Sequence, residues 1–352
     1  MRFDRSSVQL PGIPLALGSA ILFGAAAPFA KLLLARIDPQ MLAGLLYLGA
    51  GLGLAGVHIA RAAFGLSAPE APLRQADLPW LAAIVIFGGI LGPFLLMLGL
   101  GYTPATSGSL LLNLESLATM GIAWLVFREN VDRRLLLGAF AIILGSVILS
   151  WEGQGLSLDL GAALIAGACL CWGIDNNLTR KLSSADPVVI AMVKGLVAGA
   201  ANIAGGLWLG NAWPPSGLAI LAALLGFVAI GVSLVLFVFA LRHLGTARTG
   251  AYFSLAPFIG AVIALGLGDP FTARLAVAAL LMGLGLWLHL SERHEHEHVH
   301  EAMAHEHRHV HDEHHQHHHD TPVTEPHSHW HEHQPLRHKH PHYPDLHHRH
   351  TH

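Results

Sequence analysis

The feature that most constrains this chain is a succession of apolar stretches, each long enough to cross a bilayer. A helix spans the hydrocarbon core with about 20 apolar residues, because every backbone N–H and C=O there must be bonded within the segment. Ten such stretches fit between polar or Pro/Gly breaks: 12–35, 39–62, 78–100, 105–127, 134–151, 158–179, 187–209, 217–241, 247–267 and 271–291. Composition agrees, with 53% hydrophobic residues and 12% Asp, Glu, Lys and Arg, about half the charge of a soluble domain. A soluble enzyme is excluded on this ground. A disulfide scaffold is excluded too, since Cys169 and Cys171 are the only cysteines. The pairs Asp38-Pro39, Thr103-Pro104, Asp186-Pro187 and Asp269-Pro270 read as starts of spans 2, 4, 7 and 10, a capping side chain followed by Pro in the first turn. The expected class is an all-α polytopic membrane protein of ten spans.

Lys and Arg in the short loops set the orientation. With the N-terminus inside, the inner loops hold twelve basic residues (Arg2, Arg5, Arg61, Arg74, Arg128, Arg133, Arg134, Arg180, Lys181, Arg242, Arg248, Arg293). The outer loops hold only Arg36 and Arg274. Both ends are therefore expected in the cytoplasm, with the chain in the cell (inner) membrane.

The body repeats itself. Asp38-Pro39 ahead of span 2 returns as Asp186-Pro187 ahead of span 7, 148 positions later. Asn113-Leu114-Glu115-Ser116-Leu117 in span 4 parallels Ser254-Leu255-Ala256-Pro257-Phe258 in span 9, 141 positions later. Five is odd, so two units of five spans insert in opposite orientations. Inverted repeats of this kind place a transport site near the midplane between the halves.

With these features the chain resembles the EamA-type transporters of the drug/metabolite transporter superfamily. The carrying residues are Ala27-Pro28-Phe29-Ala30-Lys31, Leu112–Leu117 running on to Ala123–Glu129, Cys171–Lys181, and Ser254–Phe258. Ser116 stands where the family often has Pro, and Asp269 where it often has Glu. The resemblance covers about residues 12–290. It implies two five-helix units (12–151 and 158–291) around a central cavity, alternating access, and export of small polar or amphipathic metabolites. Residues 1–11 precede the first unit and 292–352 follow the second.

Ionisable groups at membrane depth cost several kcal/mol, so each needs a partner or a task. Glu115, with Asn113 two residues before it, lies halfway along span 4; it reads as a proton-coupling carboxylate or as the partner of Lys31 or Lys194. Asp175, Asn176 and Asn177 fan over a wide arc of span 6, so at least one faces the interior or a wet cavity. Lys194 reads as a holder of an anionic substrate group or as a neutraliser of Asp175. Lys31 is expected to snorkel to the headgroups. The Gly-rich stretches Gly49–Gly53 and Gly195–Gly199 have close-approach spacing for helix packing. Cys169 and Cys171 read as small packing residues.

After residue 293 the chain changes character. Of 27 His in the chain, 24 lie in the last 59 residues, with 4 Lys or Arg against 10 Asp or Glu. His294, His296, His298 and His300 alternate with other residues, as do His305, His307, His309 and His311, and again His327, His329, His331 and His333. So apolar-poor a segment cannot bury a core and is expected to lack regular structure. Neutral imidazoles at His-x-His spacing suit Zn, Ni, Co or Cu, so a divalent transition metal on the tail is expected and no obligatory cofactor. The expected partners are the bilayer, a small-molecule or metal-ion substrate, and at most a second copy in a homodimer. No nucleic-acid module is present, and no enzymatic activity is expected. Three functions compete: a metabolite exporter with a metal-sensing tail, a divalent metal exporter fed by the tail, and a membrane-anchored metal buffer.

Overall fold

The computed structural model describes residues 12–64, 73, 75–127, 133–151, 159–179, 182, 186–244, 246–290, 295–300, 303–309, 327–333 and 336–341. Residues 1–11, the basic loop residues Arg74, Arg128, Arg180, Lys181 and Arg293, and the tail residues His294 and His311 lie outside them.

The described elements of the body are all helices. Spans 1 and 2 are Gly12–Leu33 and Pro39–Ala63. Span 3 is Gln75–Tyr102, and span 5 is Arg133–Ser150. Span 6 is Leu160–Thr179, span 7 is Pro187–Trp208 and span 10 is Ala273–Leu290. Span 8 runs from Ser216 through Leu244. Among the described residues nine helices are long and apolar enough to cross a membrane. The tenth, span 6, has 20 residues, about 30 Å of helix. It carries Asp175-Asn176-Asn177, which lower its apolarity.

Spans 4 and 9, expected as continuous helices, are each in two pieces. Span 4 consists of Ala105–Leu111 (4a) and Leu114–Phe127 (4b). Span 9 consists of Thr246–Phe253 (9a) and Ala256–Gly266 (9b). The interruptions, Leu112–Asn113 and Ser254–Leu255, occupy the same repeat position to within one residue. Side chains bond the carbonyls around the breaks. Asn113 Nδ2 donates to Leu110 O at 2.8 Å, Ser116 Oγ to Asn113 O at 2.8 Å, and Ser254 Oγ to Gly250 O at 2.7 Å. Cys169 Sγ reaches Leu111 O at 3.7 Å. Spans 3 and 8 share a second irregularity, a π-helical turn at Val85–Leu91 and at Phe227–Val232. Two unlike defects recurring in matching spans mark the halves as structural repeats.

Equivalent spans pack on each other across the pseudo-two-fold axis, span 2 on span 7 and span 5 on span 10. Glycine permits both seams. A Cβ on Gly195 would sit 2.7 Å from Gly51 N and 2.8 Å from Tyr47 O; one on Gly138 would sit 2.8 Å from Gly285 O. Gly195→Ala is therefore expected to destabilise despite its helix-propensity gain of about 1 kcal/mol. Overpacking against backbone costs about 1–3 kcal/mol, and a fall in detergent-solubilised Tm checks it.

The expected caps at spans 2 and 7 are in place. Asp38 Oδ1 accepts from Gln40 N at 3.0 Å and Asp186 Oδ1 from Val188 N at 2.8 Å. Asp269 corrects the expectation for span 10. That helix starts later, at Ala273, where Thr272 Oγ1 accepts from Leu275 N at 3.1 Å. Asp269 Oδ2 instead accepts from Thr106 N at 2.8 Å, capping span 4a of the other repeat. Pro104, the residue before 4a, offers no side-chain cap of its own.

The second unit of the chain is Ser291–His352. Its described residues form strands β1 (Glu295–His300), β2 (Met303–His309), β3 (His327–His333) and β4 (Leu336–Pro341). β1 pairs antiparallel with β4, and β2 with β3. Strict alternation of residue type matches the two-residue period of a strand.

Candidate functional site

The two broken spans enclose the candidate site. On the side away from the chain ends, 4a packs against 9b. On the side where the body begins and ends, 4b packs on span 6 and 9a on spans 1 and 8. No comparable packing joins 4b to 9a among the described residues. The broken helices therefore form a V whose vertex is the pair of interruptions. Leu114 at the start of 4b and Phe258 in 9b join one apolar cluster with Leu110, Ile142 and Ala261, which holds the two breaks together.

Polar ties close the far side. Lys31 Nζ donates to Leu100 O and, at 3.2 Å, to Gly101 O. Thr103 Oγ1 donates to Asp159 Oδ2 at 3.2 Å, Asn211 Nδ2 to Asp38 Oδ1 at 2.7 Å, and Arg274 Nη1 to Trp151 O at 2.6 Å. Lys31 thus does not pair with Glu115. It binds carbonyls at the C-terminal end of span 3, where the helix dipole favours a cation.

Glu115 lies in the first turn of 4b. Its Oε1 accepts from Asn176 Nδ2 of span 6 at 3.0 Å, and Asn176 Nδ2 is also 3.2 Å from Thr119 Oγ1. Thr119 itself donates to Glu115 O at 2.9 Å. Spans 4b and 6 approach closely because Gly173 faces Ala118; a Cβ on Gly173 would lie 2.8 Å from Ala118 Cβ. Asn176 is exposed, and Glu115 and Thr119 are half-buried. An exposed amide near the inner end of span 6 and the half-buried carboxylate it bonds must meet water, since lipid would cost several kcal/mol. That places them on the wet interior of the V.

The other two members of the acid-amide run point into protein. Asp175 is 3% exposed and Asn177 is 2% exposed. Asp175 Oδ2 lies 2.7 Å from Lys194 Nζ, so Lys194 neutralises Asp175. Of the partners considered for Glu115, neither lysine is within ion-pair distance. Asn177 Nδ2 donates to Thr119 O at 3.0 Å and to Gly173 O at 2.8 Å. Its Oδ1 has no partner.

Sequence reasoning missed the support beneath this layer. The π-turn of span 3 frees backbone carbonyls, and neighbouring spans take them up. Tyr47 Oη and Trp172 Nε1 each donate to Gly88 O at 3.0 Å, and Asn202 Nδ2 to Gly89 O at 3.3 Å. A Cβ on Gly88 would collide with the Asp175 carboxylate. The signal available in sequence was the Gly88-Gly89 pair inside an apolar span. Thr119, four residues after Glu115, was legible as its neighbour on one helix face and was overlooked. Of the expected site residues, Glu115 and Asn176 come together, Asp175 and Lys194 pair beside them, and Asn113 builds the break. Among the body's described residues no group of three or more His, Cys, Asp or Glu is gathered to hold a metal.

The comparisons with known proteins agree with this architecture. The EamA-like transporter family model matches residues 10–151 and 159–291, the two halves drawn above. The chain belongs to the EamA-like transporter family. It is 29% identical over 279 residues to an uncharacterized transporter of Methanothermobacter thermautotrophicus, covering 75% of this chain and 81% of that protein. It is 23% identical over 235 residues to the uncharacterized transporter YyaM of Bacillus subtilis, covering 60% and 73%. A solved crystal structure shares the fold, with a TM-score of 0.57 and 19% identity over 78% of this chain and 95% of that one. This is a multi-pass membrane protein of a transporter family.

Proposed function

We propose that this chain exports a small polar metabolite by alternating access, with the substrate held at the vertex of the V by Glu115, Asn176 and Thr119. The observation that carries the reading is the matched pair of broken spans, with a half-buried carboxylate beside one break. Interrupted helices in corresponding positions of inverted repeats are where secondary transporters bind. Glu115 serves as the coupling group, exchanging a proton for substrate as the V opens to either side. With twelve basic loop residues on the side of the chain ends, that side is the cytoplasm and the V is open inward in the cell (inner) membrane.

Cysteine accessibility tests this. In a Cys169→Ala/Cys171→Ala background, Asn176→Cys should react with an impermeant maleimide faster from the cytoplasmic face, where the V is open, and more slowly from the outer face as the carrier cycles. Protection from both faces would contradict a site that opens to the cytoplasm.

The tail supports a second component, binding of a divalent transition metal. In β1/β4 the register sets His296 opposite His340 and His298 opposite His338. In β2/β3 it sets His305 opposite His331, His307 opposite His329 and His309 opposite His327. Cα atoms of opposed residues in an antiparallel ladder lie about 4.5–5.5 Å apart. A tail loaded with Zn, Ni, Co or Cu would sense or buffer metal for the carrier. Full-length protein dialysed against Zn²⁺ should retain metal, and a chain ending at Arg293 should retain none. Retention should fall as pH drops through about 6.5, where imidazole protonates. If cells expressing the full chain, the truncation and Glu115→Gln differ in Zn, Ni, Co or Cu content by way of Glu115, metal is the cargo and the metabolite reading fails.

A further inference from the structure

The donors and acceptors at the vertex do not balance. Asn176 Nδ2 is spent on Glu115 and Thr119, and Asn177 Nδ2 on Thr119 O and Gly173 O. The Thr119 hydroxyl is spent on Glu115 O, and the charge of Lys194 is matched by Asp175. Left over are acceptors: a Glu115 carboxylate with one amide donor and no basic side chain at ion-pair distance among the described residues, and the buried, unpartnered Asn177 Oδ1. The repeat equivalent of Glu115 is Ala256, so at that position the second half brings neither an acid nor a base.

At its own break the second half brings aromatic rings. Phe253, the last residue of 9a, has its ring centroid 5.1 Å from that of Phe23 in span 1 and 5.0 Å from that of Phe237 in span 8. All three are half-buried. The neighbouring Gly24 of span 1 lies against the start of 9b, where a Cβ would be 3.2 Å from Gly260 N. The trio is thereby fixed at the break. The V thus carries a carboxylate at one break and an aromatic group at the other.

We propose that the substrate is a primary ammonium compound with an apolar, preferably aromatic, body. This inference rests on the transport reading above and names its substrate class. An ammonium supplies three N–H donors and one positive charge, which the acceptor-rich side lacks. Charge-assisted bonds of this kind are roughly twice as strong as neutral ones. The body of the molecule lies against Phe23, Phe237 and Phe253, whose faces also favour a nearby cation. A carboxylate of the same shape would meet Glu115 as a like charge and is rejected.

Binding of four probes to the purified full chain in detergent tests it: 2-phenylethylamine, n-butylamine, 2-phenylethanol and phenylacetate, by calorimetry at neutral pH. Phenylethylamine should bind saturably, n-butylamine about tenfold more weakly, and phenylethanol and phenylacetate not measurably. Glu115→Gln should weaken phenylethylamine at least about tenfold. Phe253→Leu, which keeps the apolar volume, should weaken phenylethylamine while leaving n-butylamine unchanged. Phenylacetate binding as well as phenylethylamine, or equal binding to wild type and Glu115→Gln, would overturn the proposal. If no probe binds while wild-type cells still release metabolites in a Glu115-dependent way, the ammonium class falls and the transport reading stands.

Discussion

Glu115→Gln is expected to abolish metabolite release while leaving folding and membrane abundance intact. The substitution keeps the side chain's length and its oxygen for Asn176 Nδ2, so the packing of 4b on span 6 is undisturbed. It removes the charge and with it the ability to exchange a proton. A hydrogen bond to a charged group is worth about 1.5–3 kcal/mol, so one lost bond weakens substrate roughly 10–100-fold. The lost coupling adds to that, and release should fall to the level of cells without the protein. Tm and expression should match wild type. A variant that transports normally would remove Glu115 from the mechanism.

The second large effect concerns stability. The buried Asp175 and the half-buried Lys194 form an ion pair beside the site. Removing one partner of a fully buried pair costs about 3–5 kcal/mol because the other charge is left uncompensated, and the partial exposure of Lys194 sets this pair at the lower end. Asp175→Asn should lower the detergent-solubilised Tm on the order of 10 °C. Asp175→Asn combined with Lys194→Met should recover most of that loss, since removing both charges removes the desolvation cost. If the double variant is as unstable as the single, Asp175 matters through its other contacts and not through Lys194.

Much of the fold was legible in the sequence because the bilayer is a strict solvent. Apolar length and basic-residue asymmetry reflect rules that hold for every spanning helix, and Asp38-Pro39 and Asp186-Pro187 announced their helices by local chemistry. The repeat was visible at Asn113 and Ser254, where a short polar residue recurs at the same place. What those two residues do, interrupting the helix, was not legible, because Asn and Ser are tolerated within continuous spans. The π-turns were hidden for the same reason. Their freed carbonyls are satisfied by Tyr47, Trp172 and Asn202 from other spans, a condition no local window contains. Asp269 misled because a carboxylate before Pro is an ordinary cap for the next helix; only the packing of 9b on 4a turned it towards Thr106. In the site, single residues were found and pairings were not. Glu115 stood out by its depth, but whether Lys31, Lys194 or neither met it depended on the crossing of spans 1, 6 and 7.

The central claim is that metabolite passes the vertex between the broken spans through Glu115. It is tested most directly by the ratio of medium to cell content across small metabolites, in cells expressing wild type, Glu115→Gln at equal membrane abundance, or no protein. The account predicts a discrete set of metabolites whose ratio rises with wild type and returns to the empty-cell value with Glu115→Gln. Identical profiles for wild type and Glu115→Gln would contradict it.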